Sequence, residues 1–306
     1  MKWIIVFVLM EVSLTTGAQL STHSRGAGMG DAGIAAAVGN QQLAYNMGKT
    51  VFTHHFHQVS VSYLPWMRNL FQDTKFIRAD YLTTVGGSAT LGVAVNYLDL
   101  GNLTTRDDNG ASLAIYRNTS FNVGGSVGVR LSENTGIGAT LKLISARSFV
   151  SGPATRYGIS GDIHFYQSFD KISFGAVVNN FGNDIWQTGE IGLGFAYSDR
   201  DEVKEWSIGF DLRKTFRENL SKMRYSVGAE LGFHESFFIR SGLQLEPVVM
   251  GNRKHISIGA GYKGFVEDQS WAIDLHYIIP FGNKAAFAPM QHAYGITLNL
   301  HLGNFQ

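Results

Sequence analysis

The sequence predicts an all-β fold: a transmembrane antiparallel β-barrel of about fourteen strands with a small N-terminal luminal plug. Three observations predict it. Apolar and polar residues alternate with period two in about fourteen successive segments, charge is confined to one of the two faces so formed, and short connections alternate with long ones. Successive side chains of a strand point to opposite faces, so such a segment has one apolar and one polar wall. Composition points the same way. The 306 residues include 36 glycines, 5 prolines and 12% aromatics, with 16% charged, against about 25% charged in an ordinary soluble domain.

The chain begins with Lys2, an apolar run from Trp3 to Met10 and the small residues Thr16, Gly17 and Ala18. That is the charge, core and cleavage pattern of a secretory signal over residues 1–18. The apolar run is too short for a membrane helix, which needs about 20 residues, and no later stretch approaches that length. An exported chain without such a helix is soluble, peripheral or a barrel. Cysteine is absent, which excludes a disulfide scaffold, thiol nucleophiles and cysteine metal sites. The net charge of +1 gives no reason to expect a nucleic-acid partner.

Residues 19–57 form the expected plug segment ahead of a barrel spanning 58–306. Within it, "RGAGMGDAGIAAAVGN" (25–40) contains Gly28, Gly30 and Gly33 at the G-x-G-x-x-G spacing. A dinucleotide site needs a buried strand before that turn and an acidic ribose ligand roughly 20 residues after it. Residues 19–27 are not strand-like, and the first carboxylate after Asp31 is Asp73. The glycines are therefore read as sites of close backbone approach to a barrel wall, and no cofactor is expected. "AGIAAAVGN" is expected to form a short helix ending at Gly39 or Asn40. His54, His55 and His57 are read as a polar approach to the first strand, without a nearby carboxylate to complete a metal site.

The strands follow at 58–66, 74–84, 88–100, 119–132, 136–147, 156–167, 172–181, 190–198, 205–214, 224–234, 237–246, 255–263, 270–279 and 293–302. The last is the clearest: Tyr294, Ile296, Leu298, Leu300 and Leu302 share one face, Gly295, Thr297, Asn299 and His301 the other. A soluble sandwich and a membrane barrel both use such strands. The polar face separates them. It carries Arg78, Asp80, Arg130, Lys142, Arg156, Asp162, Asp211, Arg213, Glu230, Arg240 and Asp274 at mid-strand, while the opposite face is almost free of charge. Lys or Arg at the lipid midplane costs roughly 2–4 kcal/mol, which enforces that segregation.

Connections after even-numbered strands are brief, as at Gly86-Gly87, Glu133-Asn134, Phe169-Asp170 and Glu235-Ser236. Those after odd-numbered strands, such as 101–118 and 280–292, are mostly longer. This is the rhythm of periplasmic turns and external loops, and it places both strand termini of the wall on the periplasmic side. Six basic and five acidic residues on the inner list suggest crosslinking ion pairs in an obstructed lumen, since a selective pore carries one sign of charge. The first external loop contains Trp66, Met67, Arg68, Asn69, Leu70 and Phe71, an aromatic and arginine cluster of the kind enriched at protein interfaces, and it is the expected partner-binding site. Expected plug residues are Arg25, Gly28, Gly30, Asp31, Gly33, Asn40 and Asn46. No G-x-S-x-G element or paired acid-base carboxylates stand out, so no enzymatic activity and no metal site is expected.

"RGAGMGDAGIAAA" and "QQLAYNMGK" resemble the plug region of FadL-like outer-membrane proteins. "VSYLPWMRNL" (61–70), "YLDLGNLTTRDDNG" (97–110) and "VGVRLSENTGIGATLKLISAR" (127–147) resemble the PorV (LptO) component of the Bacteroidetes type IX secretion system. The resemblance covers roughly the first half of the chain. It departs at Asn46-Met47, where that family usually has Asn-Pro. It implies a cell outer-membrane barrel, contacting outer-membrane lipid, that binds the C-terminal signal domains of secreted cargo, takes cargo from a large translocon barrel and delivers it to a surface attachment complex. The alternative is a FadL-type channel for hydrophobic solutes.

Overall fold

The computed structural model describes residues 23–36, 42–53, 55–65, 74–106, 112–147, 155–182, 189–216, 218–219, 222–247, 254–267, 269–282 and 293–304. Fourteen antiparallel strands form one closed barrel: β1 (His55–Leu64), β2 (Lys75–Val85), β3 (Ala89–Arg106), β4 (Ser112–Arg130), β5 (Thr135–Arg147), β6 (Thr155–Phe169), β7 (Ile172–Gly182), β8 (Glu190–Arg200), β9 (Lys204–Thr215), β10 (Arg224–Phe233), β11 (Phe237–Leu245), β12 (Lys254–Val266), β13 (Gln269–Pro280) and β14 (Tyr294–Asn304). Each strand pairs with its sequence neighbours, and β1 pairs with β14 to close the wall, with Ser62 opposite Thr297 and Ser60 opposite Asn299. Closure leaves no exposed sheet edge, as a wall in lipid requires.

The burial pattern is inverted relative to a soluble protein. Leu141 is 60% exposed on the outside, whereas Ser62 on the inner face is 1% exposed. Along β14, Ile296, Leu298 and Leu300 point out while Thr297, Asn299 and His301 are buried, as alternation dictates. Among the described residues, five short turns, including Gly86 to Ser88 and Asp201 to Val203, lie at one end with the start of β1. Aromatic pairs ring that end: Tyr197 stacks on Trp206 at 5.0 Å between centroids, and Tyr262 meets Trp271 edge-on at 5.5 Å. These amphipathic rings mark a membrane interface. Among the described residues no helix is long and apolar enough to cross a membrane.

Two sequence expectations are corrected. The anticipated loop 101–118 is mostly strand: β3 runs on to Arg106 and β4 starts at Ser112, through a register shift between Asp99 and Asn102. Gly101, at φ +73°, supplies the backbone geometry, and the Asp99 carboxylate accepts its N–H at 3.0 Å and pairs with Arg117. A buried acceptor thus carries the ladder past a sequence that reads as a turn. The second correction is helical. The five-residue helix α1 lies at Ser24–Gly28, upstream of the expected one, and residues 32–36 of "AGIAAAVGN" are not helical. A further turn, α2 (Gln42–Tyr45), leads into a 3-10 helix at Met47–Phe52 that delivers the chain to β1.

One further irregularity shapes the wall. Between β6 and β7 the register slips at Gly161 to Ile163. Asn180 takes φ +57°, and its N–H, released from the ladder, donates to the Asp162 carboxylate at 2.8 Å.

Candidate functional site: the luminal plug and its charges

The N-terminal segment lies inside the barrel. Helix α1 packs on β11 to β14, and the 3-10 helix packs on β3 to β6 across the lumen. The chain reaches the wall so closely because glycines meet on both sides. Gly30 is at φ +63°, and a Cβ there would stand 2.7 Å from the backbone nitrogen of Leu243. On the facing strands a Cβ at Gly209 would stand 2.9 Å from the Ala32 carbonyl oxygen, and one at Gly175 would stand 2.7 Å from that of Ile34. Gly228 and Gly242 similarly receive Met29. The conformational cost of glycine in these strands is offset by backbone-to-backbone contact.

Such contact leaves backbone polar groups without helical partners, and side chains satisfy them. Asp211 accepts the N–H groups of Gly33 at 2.9 Å and Ile34 at 3.0 Å. Lys49 donates from Nζ to the carbonyls of Gly33 and, at 2.8 Å, Ala36. The wall and the plug's own lysine therefore hold this turn extended, which is why "AGIAAA" forms no helix. Asn46 caps the 3-10 helix by accepting the Gly48 N–H at 3.0 Å, and its amide donates to the carbonyls of Ile34 at 3.0 Å and Phe165 at 2.9 Å. Met47 N–H donates to His164 Nδ1 at 3.0 Å, and Ser257 bridges Gly30 N–H and the Gly28 carbonyl.

Charge completes the packing. Arg25 and Arg240 both grip Glu230, and Arg240 also reaches Asp274 at 2.7 Å. Across the lumen Glu190 holds Arg213 at 3.0 Å and Arg224 at 3.1 Å, while Arg213 contacts Asp211 at 3.2 Å. His23 Nε2 lies 2.6 Å from Asp80, which is also held by Arg78 at 2.7 Å. The other His23 nitrogen lies 2.8 Å from the Ser62 hydroxyl, Ser62 is 2.9 Å from Thr297, and Ser24 N–H donates to Thr297 at 2.9 Å. The plug thereby bridges both strands of the closing seam. Burial pushes His23 below the ordinary imidazole range against the pull of Asp80. It also lowers Lys49 to about 7, with Asp211 opposing the shift and Arg213 and Arg25 reinforcing it.

Of the sequence-predicted plug residues, Arg25 pairs with Glu230, Gly28 and Gly30 lie against the wall, and Gly33 donates to Asp211. Asp31, at φ +66°, accepts the Tyr45 hydroxyl at 3.0 Å, and Asn46 makes the three bonds above. Asn40 lies outside the described residues, as do residues 1–18, expected to be a signal, His54 and the whole cluster 66–71, expected to bind partners. Of the inner-face charges, Lys142 pairs with Asp162 at 2.7 Å and Arg130 reaches the carbonyl of Val51. Sequence reasoning missed His23, Lys49, Glu190, Arg224 and Glu246. Glu190 and Arg224 were findable, because they continue the polar face of their strands at the ends; His23 and Lys49 carry no local signal. The His55 and His301 rings lie tilted to each other at 4.3 Å between centroids, and His57 lies 3.0 Å from the hydroxyls of Tyr81 and Thr83. Among the described residues no three His, Asp or Glu side chains converge as for a metal.

The family model described as "Type IX secretion system protein PorV" matches residues 12–212. No curated protein sequence matches the chain. Among solved structures, the Pseudomonas putida toluene transporter TodX aligns with TM-score 0.62 at 9% identity, covering 91% of this chain and 96% of TodX. The Ralstonia pickettii toluene transporter TbuX gives 0.62 at 9% identity over 92% and 98% of the two chains. A Pseudomonas aeruginosa FadL homologue gives 0.53 at 10% identity over 93% and 98%. At these identities the likeness establishes a shared FadL-like fold.

Proposed function

We propose that this chain, an outer-membrane β-barrel that belongs to the PorV family of type IX secretion system proteins, serves secretion as a non-catalytic accessory whose working surface is its exterior and rim. In this reading it binds the C-terminal signal domains of secreted cargo together with the translocon barrel, and passes cargo to the surface attachment complex. The observation that carries it is the packed lumen. Plug backbone rests on wall glycines, and Glu230, Asp211, Glu190 and Asp274 on the inner face are each buried and engaged by cations. A lumen crosslinked by opposite charges is poorly suited to passing solute, whereas the segment holding Trp66, Arg68 and Phe71, expected from the sequence to be external, has the composition of a protein interface.

The test is co-purification. Exchanging Trp66 and Arg68 for alanine is expected to abolish recovery of translocon and cargo from detergent extracts while the barrel keeps its heat-modifiable gel mobility. Undiminished recovery removes the loop from the proposal. A second reading, a channel for hydrophobic solutes, is favoured by the fold shared with TodX and TbuX, described as toluene transporters. Toluene or fatty-acid uptake into liposomes containing the purified barrel, raised by a plug-loosening variant such as Gly30→Val, would support that reading over secretion.

A further inference from the structure

We propose that the outer wall over β4 to β7 carries a recess that binds one lipid acyl chain. A hollow of about 750 Å³ opens there, walled by Val127, Leu141, Ile159, Ile163 and Phe181, with small residues at its floor. The size lies within the range of small-molecule pockets, about 300–1,000 Å³. The proposal concerns the barrel exterior only and stands whether or not the secretion reading does.

The strand register explains the hollow. Gly125, Leu141 and Gly161 are direct neighbours across β4, β5 and β6, and Val127, Ala139 and Ile163 form the adjoining row. On the outward face each row therefore alternates bulky with small residues. A Cβ built on Gly125 would have no atom within 4 Å, so the dent is open. Its borders are left bare: Leu141 is 60% exposed and Ile159 and Ile163 are each 56% exposed. The register slip between β6 and β7 deepens the far side. It turns the Phe181 ring over Gly161, where a Cβ would stand 2.6 Å from the ring, leaving a shelf in place of a flush wall.

Chemistry selects the occupant. The hollow is continuous with the outward apolar belt, whose every other residue meets acyl chains. The one charged residue behind it is engaged, since Asp162 accepts the Asn180 N–H and pairs with Lys142, and of the hydroxyls Ser126 and Thr140 bond each other while Ser160 Oγ is buried without a partner. No free charge is offered to a headgroup or a charged peptide, so the hollow suits a hydrocarbon chain. Ile159, Phe181 and Gly182 lie toward the long-loop ends of β6 and β7, while Val127 and Ala139 lie toward the short turn between β4 and β5, so the hollow spans the mid-height of the wall.

The test uses the full chain, purified in detergent, stripped of lipid and mixed with dioleoylphosphatidylethanolamine or dioleoylphosphatidylglycerol for native mass spectrometry. One lipid adduct is expected to survive activation that removes the rest, with the same stability for either headgroup. Gly125→Phe, which projects into open space, is expected to abolish that adduct, while Leu298→Phe on the far wall keeps it. Ala139→Leu provides a second filling variant should Gly125→Phe fail to show heat-modifiable mobility. Absence of a surviving adduct from the unmodified chain overturns the proposal, as does its retention in both filling variants. Preference for one headgroup, or loss of a co-purifying membrane protein with the adduct intact, overturns the acyl-chain assignment.

Discussion

Arg240 joins two buried carboxylates of the inner wall. It lies between Glu230 and Asp274, and Asn299 supports Asp274 from β14 at 2.9 Å. Removing one member of such a buried set leaves charge uncompensated, at a cost of about 3–5 kcal/mol. Arg240→Leu should therefore lower the temperature at which the barrel loses its compact gel mobility, and the double change Arg240→Leu with Glu230→Leu should recover part of the loss. Lys49 makes a pH-dependent prediction. Its folded pKa of about 7 lies below the ordinary lysine value, so the unfolded chain binds more protons through the interval between them. Stability from this group is then fully present above the ordinary value and is lost as pH falls toward and through 7. The neutral amine still donates to Gly33 and Ala36. Resistance of the unmodified chain to denaturation should rise from neutral toward alkaline pH, and Lys49→Met should flatten that rise.

Strands and plug differ in how plainly their sequence announces them. The β14 alternation of Leu298 and Leu300 against Thr297 and Asn299 is legible because each residue answers to its local face: lipid on one side, packed lumen on the other. Leu298→Arg should accordingly cost about 2–4 kcal/mol and reduce the folded fraction recovered in lipid. The pairing order and alternating turns were legible for the same reason. The interior of the plug was not. Residues 32–36 have helical composition, yet their backbone partners are Asp211 on β9 and Lys49, remote in sequence. Helix propensity is a weak prior beside such tertiary bonds. The extension of β3 to Arg106 was hidden similarly, because Gly101 reads as a turn residue until Arg117 is placed beside Asp99.

At the scale of the whole molecule, the inverted burial and the closed strand order fit the PorV family assignment and the FadL-like fold. They also concentrate any partner-facing chemistry on loops and outer wall, the surfaces addressed by the co-purification and lipid-retention experiments. The seam has a consequence for biogenesis. His23 and Ser24 touch Ser62 on β1 and Thr297 on β14, so the first and last staves share fittings that belong to neither. Without the seated plug, Ser62 and Thr297 keep each other and Asp80 keeps Arg78, but the bonds from His23 and Ser24 are lost. Seating the N-terminal segment therefore adds fastening to both staves at once, and a chain lacking it should close with a weaker joint.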